Sequence, residues 1–151
     1  MLKKVALLVS VLLIYSLSTY AYNIPMKYLE GDENISFFVR IDNVTFVELN
    51  DSDKQYASFN KAMRLEILSM TCEKRVGFTY LATYDKQNRG ISKLIEAKSY
   101  SSNGKIEKST NLYPTSKWII TTRGSVVDNA VDKILEASRN GELHFLKTSL
   151  N

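Results

Sequence analysis

Side chains that exchange protons or act as nucleophiles near neutral pH are scarce in this chain. It carries one histidine, His144, and one cysteine, Cys72. A single histidine cannot furnish a multi-histidine metal site. A Cys72–His144 nucleophile pair would need both groups within hydrogen-bond reach. Cys72 falls inside a predicted strand and His144 in the C-terminal tail, so that pairing is not expected. A lone cysteine cannot close an internal disulfide. It can be a buried inert thiol, an intermolecular bridge or a reactive group; burial is the favoured reading, because free Cys is among the most buried residue types. The carboxylate pairs Asp32/Glu33 and Asp51/Asp53 lie in polar stretches and read as solvated turn residues. No G-x-S-x-G, no glycine-rich phosphate loop and no H-E-x-x-H occurs in the sequence. The basic residues Lys74, Arg75, Lys86 and Arg89 flank turns at opposite ends of one predicted strand, which splits them into two solvated pairs rather than one patch. Met and Tyr within strands read as core residues rather than ligands of haem or another apolar group. The sequence therefore predicts no catalytic residue, no metal or cofactor ligand and no disulfide, and it assigns no partner-binding residue.

Location is more legible than chemistry. Lys3 and Lys4 precede an apolar run, Val5 to Leu17, broken only by Ser10 and Ser16; Ser18-Thr19-Tyr20-Ala21 then offers small residues at the right offsets. This is the layout of a cleavable signal peptide, with the cut expected between Ala21 and Tyr22. The run is shorter than the roughly 20 apolar residues of a membrane span, and no lipid-accepting cysteine follows it. A periplasmic or secreted protein without a lipid anchor or a membrane span is the expectation. Removing residues 1–21 leaves 130 residues, enough for one ordinary core. The net charge falls with Lys3 and Lys4 from +4 to +2, which makes no electrostatic case for nucleic acid.

The remaining pattern is that of an α+β domain. Residues 22–34 read as an irregular lead-in, broken by Pro25, Gly31 and an acidic cluster. Ile35–Ile41 and Val44–Leu49 read as strands around an Asp42-Asn43 turn. Residues 50–53 read as loop and 54–61 as a strand. Met63–Cys72 and Arg75–Tyr84 read as a hairpin; Val76, Phe78, Tyr80, Ala82 and Tyr84 share the core-facing side. After a turn at Asp85–Gly90, with Gly90 suited to positive φ, Ile91–Tyr100 is a more polar strand. Residues 105–117 carry Pro114 and read as loop or edge strand. Trp118-Ile119-Ile120 is a short apolar anchor. One helix starts at Ser125, whose spacing to Asp128 is that of a capping box. Val126, Val127, Ala130, Val131, Ile134 and Leu135 form its apolar stripe, and Asn140-Gly141 stops it. An antiparallel sheet packed against one C-terminal helix follows, with residues 35–139 as the domain and 140–151 as a flexible tail.

Four landmarks carry a family resemblance: "RIDNVTF" (Arg40 to Phe46), "LSMTCEKR" (Leu68 to Arg75), "YDKQNRG" (Tyr84 to Gly90) and "KWIITTRGS" (Lys117 to Ser125). In this order, across roughly residues 35–138, the chain resembles the surface-adhesin protein E family of Gram-negative envelopes. The resemblance implies a sheet packed on a C-terminal helix, no catalysis, adhesion to host matrix proteins and self-association. Family members often pair the strand cysteine with one near the end of the last helix; here Ala137 and Ser138 occupy that region. The lipid anchor of the adhesin that names the family has no counterpart cysteine either. The expected function is an exported, non-catalytic binding protein that engages a host matrix or envelope protein, with a possible homodimer through a sheet edge. The alternatives are a small periplasmic inhibitor, acting through a rigid loop such as Asp85–Gly90, or a structural accessory protein. An enzyme ranks last.

Overall fold

The computed structural model describes residues 25–143. The expected signal segment with Ala21 and Tyr22, and residues 144–151 with His144, lie outside the described residues. Eight strands form one antiparallel sheet: β1 Met26–Gly31, β2 Ser36–Arg40, β3 Thr45–Glu48, β4 Lys61–Met70, β5 Arg75–Tyr84, β6 Gly90–Tyr100, β7 Ile106–Asn111 and β8 Ile119–Ile120. A one-turn helix, α1 (Asp51–Lys54), precedes β4, and α2 (Val126–Arg139) follows β8. The main order is β1-β2-β4-β5-β6-β7. β2 and β3 share one edge of β4, with Val39 opposite Ile67 and Thr45 opposite Arg64. β7 and β8 likewise share the outer edge of β6. The Asp42-Asn43 signal thus marks the break between two strands on one partner, and it sends Ile41 and Val44 into the core.

α2 lies on one face of the sheet. Its Ala130, Ile134 and Ala137 pack on Val39, Leu65 and Ile67; burial of a side chain the size of Ile134 contributes about 1.5–3 kcal/mol. Ser125 is the N-cap, accepting from the Asp128 amide at 3.3 Å. The Asp128 carboxylate returns a bond to the Gly124 amide (2.8 Å) rather than to that of Ser125, as the box would have it. Gly141, at φ 74°, ends the helix. Its amide donates to Ser138 and that of Glu142 to Ala137, the paired bonds of a Schellman turn. The second face is covered at one end by residues 49–60 and 112–118, with Leu49, Ala57, Ala62 and Leu81 as a smaller core.

Several expectations change. The lead-in contains a strand: Met26–Gly31 pairs with β2, and the acidic cluster is its hairpin turn, where Asp32 accepts from the amides of Asn34 and Ile35. Pro25 sits just outside this strand, where its missing N–H costs no ladder bond. Residues 50–53 open a helical turn capped by Asn50, and residues 55–60 make only one isolated bridge, Ala57 to Asp85, so the strand expected at 54–61 begins at Lys61. Cys72 is neither in a strand nor buried: β4 ends at Met70, and Cys72 is exposed in the turn to Arg75. The Thr71 hydroxyl holds that turn by accepting from the amides of Glu73 and Lys74. Positive φ in the β5–β6 turn falls at Asn88 (61°), not at Gly90. The apolar side of β5 is only half-covered, whereas Gly77, Thr79 and Leu81 on the other side are buried. Leu135 leaves the helix stripe and is 43% exposed; Ala137 takes its place in the core. The tail is partly fixed, with Leu143 buried and Glu142 paired to Lys27 at 2.5 Å.

Candidate functional site

Because α2 leans over β1 and β2, it leaves the sheet beneath its other flank open. The gap is a groove of about 810 Å3 between α2 and the near ends of β4, β5 and β6. Its apolar wall consists chiefly of Phe46, Phe59, Met63, Tyr84, Val131 and Leu135. Register explains the convergence: Phe46 stands opposite Met63 across β3–β4, Met63 opposite Ala82 across β4–β5, and Tyr84 opposite Gly90 at the end of β5. Phe46, Phe59, Tyr84 and Leu135 are all exposed, Phe59 most of all at 58%. Lys61 and Arg123 supply positive charge at the rim, Asp128 and Asp132 negative. Pockets of this kind, apolar with a few polar groups, are where ligands and partner side chains bind.

On the opposite face two carboxylates are buried. Glu66 is 1% exposed. It accepts from Arg40 (3.1 Å), from the Asn43 amide (2.7 Å) and from the Tyr100 hydroxyl. Burial, then the bond to Glu66, pushes the Tyr100 phenol well above its ordinary value. The Arg40 guanidinium is held more firmly charged than usual, chiefly by its bond to Asp42. Gly77 makes room for this cluster: a Cβ there would run into the Glu66 carboxylate and meet the Tyr100 ring at 2.9 Å.

Asp53, at the base of α1, is 2% exposed. Lys93 donates to it at 3.0 Å, the Trp118 indole at 2.8 Å, and the Tyr113 hydroxyl completes the set. Lys93 also lies 4.1 Å over the Tyr113 ring. Burial raises the Asp53 pKa, but the bonds from Tyr113, Trp118 and Lys93 outweigh it, so the carboxyl stays below its usual range. Burial, then the bond to Asp53, pushes Tyr113 up to about 12. A buried charge is tolerable only when paired and hydrogen-bonded, and both carboxylates meet that condition. Neither lines the groove. Their hydrogen bonds pin loops and strands together.

The expected solvation of the loop carboxylates holds for Asp51, whose exposed side chain pairs with Lys54, and fails for Asp53. The reason is the helical turn, which aims Asp53 inward while Asp51 points to solvent. Lys74 and Arg75 do lie at one end of β5 and Lys86 and Arg89 at the other; Arg89 pairs with Asp85 at 2.8 Å. Sequence reasoning missed Glu66, Asp53 and the groove aromatics. One signal for the first was available: a glycine inside the alternating run Arg75–Tyr84 marks a close approach by another group. Among the described residues no group of three or more His, Cys, Asp and Glu is placed to hold a metal ion, and no helix is long and apolar enough to cross a membrane. No family model, curated protein or solved structure matches this chain.

Proposed function

We propose that the chain is an exported, non-catalytic binding protein of the surface-adhesin protein E type. It engages a host matrix or envelope protein by taking apolar side chains of that partner into the groove beside α2. The observation that carries this reading is the groove itself, where Phe46, Phe59, Tyr84 and Leu135 stay exposed around a concave surface although a core lies directly beneath. Large apolar side chains gathered at one exposed concavity mark interaction sites more often than chance surface residues do. Rim charges of both signs suit a protein segment with mixed polarity. The signal-like N-terminus supports export.

The test is binding of residues 22–151 to a panel of purified matrix and envelope proteins, by interferometry. Binding that drops about ten-fold or more in Leu135→Asp and Phe59→Asp, with the melting temperature held, supports the reading. No binding across the panel overturns it. A second reading, a periplasmic inhibitor, draws on the rigidity of the Asp85–Gly90 turn: the Asp85 carboxylate accepts from the amides of Gln87 and Arg89 and from the Arg89 side chain. Stoichiometric inhibition of a periplasmic hydrolase, lost on Asp85→Ala, would favour it.

A further inference from the structure

The β1 and β7 edges of the sheet are finished differently, and the four-residue β3 also pairs on one side only. At the β1 edge, α2 and the segment after it close in, and Lys27 is neutralised by Glu142. At the other edge β7 pairs only with β6, and all six of its residues are exposed. An unprotected strand offers a row of backbone donors and acceptors to any extended chain that approaches. Apolar side chains accompany it: Ile106, Ile119 and Ile120 are each more than half exposed.

Charge is also distributed unevenly. Most cations of the described residues are paired: Lys27, Arg40, Lys54, Lys61, Arg64, Arg89, Lys93, Lys98 and Lys133 all form salt bridges. Lys108 on β7, Lys105 just before it, Lys117 and Arg123 flanking β8, and Lys86 beside Ile119 and Ile120 form none, and all five are exposed; elsewhere Lys74 and Arg139 form none either. Against them the edge holds one exposed carboxylate, Glu107. These lysines oppose pairing of the edge with an identical edge, because like charges face one another across such a pair. For the same reason they favour a strand of opposite sign.

We propose that the β7–β8 edge accepts an extended, acidic segment of a partner protein as an added strand, with backbone bonds supplying affinity and the unpaired cations selecting for alternating Asp or Glu. This surface meets the groove only at Arg123, which lies at the rim of both, and the proposal does not rest on the reading given for the groove.

The experiment uses residues 22–151 and short labelled peptides that alternate Val with Glu, Val with Lys or Val with Ser. Binding is followed by fluorescence anisotropy, and protection of β7 amides by hydrogen exchange. The Val–Glu peptide is expected to bind, to protect Ile106–Asn111, and to weaken about ten-fold between low salt and half-molar salt. The double variant K105E/K108E should lose about ten-fold in affinity for it and gain affinity for the Val–Lys peptide. The groove variant Leu135→Asp should bind the peptide unchanged, which separates failure here from failure of the proposed function. Equal binding of all three peptides, or binding without protection of β7, overturns the proposal. So does displacement by duplex DNA or anionic vesicles at matched charge, which would make the edge a general polyanion surface. Concentration-dependent self-association that blocks the peptide would assign the edge to a second copy and overturn it equally.

Discussion

Gly77 and Glu66 form a lock in which one residue's missing side chain makes another's charge tolerable. The Glu66 carboxylate cannot swing aside, because Arg40, Asn43 and Tyr100 hold it. Gly77→Ala is therefore expected to cost about 1–3 kcal/mol through overpacking, read as a shift in the urea midpoint at unchanged slope. Asp53 predicts a pH dependence. Its carboxyl pKa is lowered in the folded protein, so its contribution is fully present above the unfolded value of about 3.9 and is lost as pH falls through the folded value. Asp53→Ala leaves Lys93 buried without its counter-ion and should cost about 3–5 kcal/mol at neutral pH. The gap between the variant and the unaltered protein should narrow below about pH 4, measured by denaturant unfolding across the acid range. A gap that stays constant there would mean that packing, not charge, is what Asp53 supplies. Neither carboxylate was legible as buried. Burial of a polar side chain is decided by partners distant in sequence: Lys93, Tyr113 and Trp118 for Asp53, and Arg40 and Tyr100 for Glu66.

At the scale of elements, α2 divides into a face that holds the fold and a flank that does not. Ile134 is fully buried and Leu135 largely open. Ile134→Ala should lower stability by about 2–5 kcal/mol, whereas Leu135→Asp should fall within about 0.5 kcal/mol of neutral, both by thermal and urea unfolding. Adjacent residues of the same chemistry thus differ in how far they hold the fold. The helix, its cap at Ser125 and its stop at Gly141 were readable because they depend on local spacing. So were β4, β5 and β6, where alternation is sustained. β1 was missed because Pro25 and the acidic turn frame a segment too short to declare itself. Which side of β5 is better covered was not legible either: alternation separates two faces and α2 lies on that of Tyr80 and Ala82, but it covers that face only in part, while loops bury the other. The groove was hidden for the same reason, since it arises from where α2 comes to rest.

For the molecule as a whole, charge is sorted by position more than by amount. The net charge of residues 22–151 is only +2, yet five of the cations without a salt bridge gather along one edge while buried ion pairs cross the face opposite α2. Overall charge is a poor guide to partners here; the local field at an edge or rim is the better one. The order of the strands carries a kinetic consequence. β4, β5, β6 and β7 follow one another through short turns, as β1 and β2 do, so these pairings close small loops. The docking of α2 onto β1 and β2 joins the two ends of the domain and carries the largest closure entropy. Assembly should then zip outward from the central meander, with the helix seated late. Leu65→Ala in β4 should slow refolding in stopped-flow, and Ile134→Ala should chiefly accelerate unfolding. If both slow refolding alike, the helix belongs to the nucleus. If they separate, the wall that bounds the groove is the last part of the molecule to form and the first to let go.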